Sequence, residues 1–312
     1  LAPDEVLLEV AATGLNFRDV LTALGLYPGE PQPLGGEVAG RVLAVGAQVD
    51  SLRPGDQAVG FCFGAAGFAT RVMAPAGWLV GLPRELRAEQ AAALPVAEVT
   101  ARHALFDLGG LKKGQTILIH AAAGGVGLAA VHLAKAAGAK VIATAGSAEK
   151  RTYLEGLDLL AVGDSRSTAF VETVRQATAG RGPDLVLDML SGALSRASVK
   201  LLARGGVFLE LGKREVPDNA ECQALRPDVA YHHFDLVSLA QTQPGLVRAH
   251  LAQAVADRVA GRLPETNLTA FAAAETQGAF RLMAQARHLG KLVVTRQLPL
   301  RIFATGSYLV TG

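Results

Sequence analysis

Cysteine is nearly absent: this chain of 312 residues holds two, Cys62 and Cys222. Two thiols cannot build a disulfide framework or a four-cysteine zinc site. With no signal-peptide pattern at the start, they lead to the expectation of a reducing, cytoplasmic setting. Charge of one sign is missing too. There are 30 Lys and Arg against 28 Asp and Glu, a formal net charge of +2, with no long basic run. That balance argues against nucleic acid as the main partner. Disorder is excluded by composition, since half the residues are hydrophobic and 19% are charged. The longest apolar run, residues 116–134 (TILIHAAAGGVGLAAVHLA), approaches the length of a membrane span. It carries His120, His132 and glycines at 124, 125 and 127, so it reads as a strand, a tight turn and a helix, and no membrane partner is expected.

Aromatics are few, at 5%, while glycine contributes 35 residues. In the first hundred residues the apolar runs at 5–12, 36–46 and 56–62 are cut by the turn signals PGEPQP, RPGD and FGAAGF. Gly-heavy corners of this kind suit a β-rich, barrel-like fold. From about residue 97 the rhythm changes. Apolar runs at 116–121, 140–146, 159–164, 183–190 and 207–213 alternate with helical stretches. Strands apolar on both faces and spaced by helices predict an α/β fold, a doubly wound parallel sheet of the Rossmann type. After about 236 the pattern is helical, with a last strand at 291–298. The expected organisation is a discontinuous substrate-binding domain (1–96 and 236–302) with a cofactor domain (97–235) inserted in it. Residues 303–312 end in a fresh β-run, SYLVTG, read either as a frayed end or as the opening of a following domain.

The strongest local motif is HAAAGGVG, residues 120–127, following a strand and opening a helix. Glycine there lets the backbone approach a pyrophosphate and lets the helix pack on the strand, while the helix N-terminus offers free N–H groups. Candidate cofactor contacts are Ala123, Gly124, Gly125, Val126 and Gly127. Ala121 or Ala122 takes the place of the usual first glycine. An NAD site places an acid at the end of the second strand. Here that stretch is ATAGS (143–147), with no acid, followed by Lys150 and Arg151, and by Arg166 after the third strand. Ser147 with these cations suits a 2′-phosphate, so NADPH is the expected cofactor. The alternative is that Lys150 and Arg151 are a solvated first helix turn. A catalytic zinc needs three protein ligands. The early stretches GLNFRD (14–19) and LGGE (34–37) contain neither Cys nor His, the seven histidines are scattered, and no metal is expected.

The strings LNFRDVLTALGLYPG (15–29), LGGEVAGRVLAVG (34–46), HAAAGGVG (120–127), GSAEKRTYL (146–154), DSRSTAF (164–170), GGVFLELGK (205–213) and ARHLGKLVV (286–294) together resemble the enoyl reductase domains of type I polyketide and fatty acid synthases. These are zinc-free members of the medium-chain dehydrogenase/reductase superfamily, with a GroES-like substrate domain. The resemblance runs from residue 1 to about 300. It implies hydride transfer from NADPH to the β-carbon of an α,β-unsaturated thioester, with protonation at the α-carbon. The substrate would ride on the phosphopantetheine arm of an acyl carrier protein, beside ketoreductase and dehydratase domains of the same polypeptide. The SYLVTG tail resembles the start of such a ketoreductase domain.

The resemblance also names candidate catalytic residues. Lys213, following Gly212 at the end of VFLELGK, and Asp235 in HHFD match the family's proton-donating pair. Tyr27 resembles the tyrosine linked to the face of α-protonation, with a 2S methyl outcome implied. Asn16 and Thr100 resemble residues near the nicotinamide. Structural caps or core positions are the alternatives for each. Arg18 and Asp19 read as an ion pair fixing their loop. Glu98 departs from the family, which carries an apolar or aromatic residue near there, and would place a carboxylate beside the nicotinamide. Rival readings are a free-standing quinone or alkenal reductase, a module that binds NADPH without reducing, and a variant that closes a cyclopropane.

Overall fold

The computed structural model describes residues 1–27, 32–213, 215–265 and 267–296. The SYLVTG run lies outside them. Strand β1 (Glu5–Leu15) shows how pattern becomes packing. Its side chains alternate between half-exposed and buried as far as Ala11 and are all buried from Ala12 onward. Alternation marks a sheet with one wet face. The change reflects its neighbours. β1 pairs antiparallel with β2 (Glu37–Val45), and its first half also with β4 (Arg71–Pro75). Register shifts at Leu7/Leu8 and Val10/Ala12 bend it, as bulges do. β3 (Gln57–Phe61) and β5 (Leu79–Gly81) extend the antiparallel run.

After two short helices, Phe17–Ala23 and Ala88–Ala91, the helix Pro95–Arg102 has proline at its first turn and runs on into a π-helical turn, His103–Leu108. A six-stranded parallel sheet follows: β6 (Thr116–Ile119), β7 (Lys140–Ala145), β8 (Ala161–Asp164), β9 (Leu185–Asp188), β10 (Val207–Glu210) and β11 (Ala230–His233), in spatial order β11-β10-β9-β6-β7-β8. β6 and β9 are buried at every position, because helices cover both faces. The winding direction reverses between β6 and β9. In open α/β sheets ligands bind at the carboxyl edge of that switch point.

The chain then passes through helices Leu236–Thr242 and Pro244–Val259 and rejoins the first sheet with β12 (Leu268–Ala272) and β13 (Lys291–Thr295). β13 pairs with the buried end of β1, giving seven strands. The two sheets are tied where Gly290 N–H donates to the Ala123 carbonyl at 2.8 Å, while Trp78 Nε1 holds the helix Leu236–Thr242 to the β-rich half through the Ala240 carbonyl at 2.9 Å. The doubly wound sheet and the β-rich partner are the fold that the sequence pattern predicts.

Candidate active site

The glycine-rich turn is built by sterics. Ala121 sits at φ 46°, so it, and not Ala122, holds the left-handed position usually given to glycine. A Cβ on Gly127 would lie 2.5 Å from the Ala121 carbonyl oxygen, and one on Gly125 would lie 2.5 Å from Lys291 Cδ. Gly127 is therefore required by helix–strand packing and Gly125 by the neighbouring sheet. The helix Gly125–Ala136 starts from Gly124 with no side-chain cap. Gly124 bridges to Gly290, and the next N–H groups, on Val126 and Gly127, have no carbonyl one turn back to bond. They lie at the positive end of the helix dipole, which fits a pyrophosphate.

Beyond β7 the cationic candidates separate. Ser147 caps the helix Ala148–Glu155, accepting from Lys150 N–H at 3.4 Å. Lys150 Nζ donates to the Ala286 carbonyl at 2.7 Å. Burial lowers its pKa, and the charge of Arg166 lowers it further. A Cβ on Gly146 would meet Arg166 Nε at 2.9 Å, so that guanidinium lies over the end of β7 beside Lys150. Arg151 points elsewhere. It donates to the Ala145 carbonyl at 3.2 Å and pairs with Asp164 at 3.5 Å.

At the carboxyl edge of β10, Lys213 Nζ stands 3.4 Å from Asp235 Oδ2. Asp235 also caps the helix Leu236–Thr242, accepting from Ser238 N–H at 3.0 Å, so capping and pairing coexist. Burial raises its pKa, but the Ser238 N–H and the Lys213 ammonium outweigh that and hold it below the ordinary value. The Tyr27 pKa is raised by burial and then by the charge of Asp235, against a lowering by Arg18. Gly212 N–H donates to Glu210 Oε1 at 2.6 Å. A Cβ on Gly212 would lie 2.6 Å from Val216 and 2.7 Å from that same oxygen.

Two expectations are corrected. Arg18 does not pair with Asp19. Its guanidinium lies over the rings of Tyr27 (5.3 Å) and Phe63 (5.8 Å). Asp19 fixes the loop by itself, accepting from Gly35 N–H and Asn16 N–H at 2.8 Å each. Glu98 is not a free carboxylate beside a nicotinamide. It is 1% exposed, held by Arg102 at 3.4 Å and by Arg258, and Arg102 continues to Asp257 at 2.6 Å. Thr100 lies inside the helix Pro95–Arg102, buried.

Three clusters escaped sequence reasoning. Asn16 sits in the first. Lys291 Nζ donates to Glu37 Oε1 at 2.5 Å and to Asn16 Oδ1 at 2.8 Å, while Asn16 Nδ2 donates to Glu37 Oε1 at 2.8 Å. The second lies under the crevice. Asp188 and Glu210 face each other in register on β9 and β10, both fully buried. Burial raises both carboxyls, and Asp188 helps push Glu210 up to about 8. Ser195 donates to Glu210 at 3.3 Å. His120 shares hydrogen bonds of 2.8 Å with Thr144 and Ser198; burial lowers it to about 3, so it is neutral. An acid ending each of two adjacent apolar runs, VLD and FLE, was the available signal. The third cluster joins His103, Asp107 and His250.

Family models match in two places: an alcohol dehydrogenase GroES-like domain at residues 2–84 and a zinc-binding dehydrogenase at residues 125–249. Erythronolide synthase EryA2 of Saccharopolyspora erythraea is 42% identical over 313 residues, covering all of this chain and 8% of that protein. The chain thus spans a small fraction of the curated synthases it matches. The crystal structure of CurK enoyl reductase is 37% identical with a TM-score of 0.88, over 94% of this chain and 91% of that one. The quinone oxidoreductase of Escherichia coli, solved with NADPH, is 26% identical with a TM-score of 0.84, over 94% and 92%. Among the described residues no helix is long and apolar enough to cross a membrane. Phenolphthiocerol synthesis polyketide synthase type I Pks15/1 of Mycobacterium bovis is 42% identical over 321 residues, covering all of this chain and 15% of that protein. Similarity along the whole of this chain to such synthases, a reductase structure matched nearly end to end, and the GroES-like and doubly wound sheets place this chain among the enoyl reductase domains of type I polyketide synthases, in the medium-chain dehydrogenase/reductase superfamily.

Proposed function

We propose that this domain reduces the α,β-double bond of an enoyl thioester carried on the phosphopantetheine arm of an acyl carrier protein, using NADPH, beside ketoreductase and dehydratase domains of one modular synthase. The observation that carries the reading is the Lys213–Asp235 pair, 3.4 Å apart at the carboxyl edge of the parallel sheet, with Tyr27 close enough to feel the Asp235 charge. The N–H groups of Val126 and Gly127, at the start of a helix with no side-chain cap, would hold the pyrophosphate. Lys150 and Arg166, at the end of a strand that carries no acid, receive the 2′-phosphate with the Ser147 hydroxyl. Arg151 is engaged with Asp164 and supports that corner from below. Asn16, its amide oriented by Lys291 and Glu37, would hold the nicotinamide ribose. When bound, NADPH supplies the hydride that reaches the β-carbon.

The chain's own residues handle charge and proton. Lys213 offers a positive charge to the developing enolate and a proton to the α-carbon. Asp235, fixed by its helix cap, orients the ammonium. The Tyr27 phenol, kept protonated by burial and by Asp235, is a second donor from its own side of the cleft and sets the face at an α-methyl substrate. Tyr27, Lys213 and Asp235 together favour reduction over closure of a cyclopropane.

The test is oxidation of NADPH with crotonyl and 2-methylcrotonyl pantetheine thioesters, run beside NADH and a quinone. Thioester turnover with NADPH preferred is expected, and Lys213→Ala should lose about 10²–10⁴-fold in kcat if the lysine is the proton donor. Turnover of the quinone alone overturns the reading in favour of a free-standing type of reductase.

A further inference from the structure

Two histidines far apart in the chain meet one carboxylate beside Phe234. The helix Pro95–Arg102 continues into the π-helical turn His103–Leu108, where Gly109 N–H reaches back to the Ala104 carbonyl at 2.8 Å. π-turns are costly and gather at functional positions. This one puts His103 and Asp107 on one face, with His103 Nδ1 2.8 Å from Asp107 Oδ2. From the helix Pro244–Val259, His250 Nε2 approaches the same oxygen to 2.6 Å. The three ligand atoms all lie within 4.8 Å of one another. His103 is anchored by an edge-on contact with the Phe234 ring, centroids 4.7 Å apart. Asp107 keeps 32% of its side chain exposed and His250 17%, so the cluster opens to solvent on one side.

We propose that His103, Asp107 and His250 form a binding site for a divalent transition cation of the zinc class, three protein ligands with water at the fourth position. Two imidazoles and one carboxylate are a donor set such cations take, and bonds of about 2.0–2.1 Å place tetrahedral ligand atoms about 3.3 Å apart. The present separations from Asp107 Oδ2, 2.8 and 2.6 Å, are shorter by about 0.5 and about 0.7 Å. Asp107, with its side chain open to solvent, has room to move outward toward that spacing. The site is separate from the Gly124–Gly127 turn and from Lys213. It joins the first helical segment of the parallel-sheet half to the helix that leads back to the first sheet. A bound cation therefore clips the two halves together beside Phe234, stabilising the native state without entering the hydride chemistry.

The experiment takes the whole chain, stripped with a chelator, and titrates it with Co²⁺ and then Zn²⁺. Expected are visible d–d bands of a four- or five-coordinate cobalt at one equivalent, bleached by one equivalent of Zn²⁺. Zn²⁺ should also raise the thermal midpoint progressively with concentration, as mass action requires. Asp107→Asn and His250→Gln should each remove the bands and the thermal shift while leaving the metal-free midpoint of a folded protein. A weak six-coordinate spectrum with no thermal shift from Zn²⁺ overturns the proposal and leaves a hydrogen-bonded clasp of three side chains. Bands that persist in both variants also overturn it, because the cation is then elsewhere.

Discussion

Lys291→Met tests whether the crevice is held by the buried cluster at its wall. Glu37 is 0% exposed and Lys291 3%, so the substitution strands a carboxylate in the interior. Breaking a buried pair by removing one partner typically costs about 3–5 kcal/mol. Two donors remain on Glu37: Val96 N–H at 2.7 Å and Asn16 Nδ2 at 2.8 Å. Hydrogen bonds to a charged group are worth about 1.5–3 kcal/mol each, which places the expected loss at the lower end, about 3 kcal/mol. The measurement is urea unfolding of wild type, Lys291→Met, Glu37→Gln and the double variant. Removing both charges should restore most of the loss, giving a coupling of about 2 kcal/mol. Function should change too. The Lys291 stem packs where a Gly125 side chain would stand, and its ammonium orients the Asn16 amide, so KM for NADPH should rise in Lys291→Met. A loss under about 1 kcal/mol, or strict additivity in the double variant, would refute the reasoning.

Four further outcomes are expected. Arg166→Ala and Lys150→Ala should each lower kcat/KM with NADPH by roughly tenfold or more, one charge-assisted bond's worth, and leave NADH nearly unchanged; equal losses with both cofactors would place the 2′-phosphate elsewhere. Ala121→Gly relieves a left-handed alanine at φ 46° and should change stability by less than about 1 kcal/mol, whereas Gly127→Ala drives a methyl into the Ala121 carbonyl at 2.5 Å and should cost about 1–3 kcal/mol, both read by thermal unfolding. Glu210 is raised by burial and by Asp188 to about 8, so the native state keeps a proton the unfolded chain releases; stability should fall as pH rises from the ordinary carboxylate range to about 8, and Glu210→Gln should flatten that slope. Tyr27→Phe should retain hydride transfer to 2-methylcrotonyl thioester and erode the 2S product, read by chiral analysis; an unchanged product ratio would remove Tyr27 from the proton path.

The parts of the fold that sequence shows are the parts encoded locally. β6, β7 and β9 are apolar runs because helices cover both faces, and the turn between β6 and its helix is written in eight consecutive residues. β11, by contrast, reads AYHH, with no apolar signal, and is a strand because β10 offers it a parallel edge. The site divides along the same line. The pairing of Lys213 with Asp235 came from the resemblance, but their 3.4 Å approach depends on the chain after β10 meeting the start of the helix Leu236–Thr242. Lys291 reaches Glu37 across most of the chain, and no spacing announces it. The failed Arg18–Asp19 pair carries the converse lesson. Adjacent residues in the helix Phe17–Ala23 point about a quarter-turn apart and do not face each other. Glu98 and Arg102, four apart on one helix, do meet. Nearness in sequence predicts contact only after the local backbone geometry has been assigned, and a short helix inside LNFRDVLTALG is the element that was not assigned.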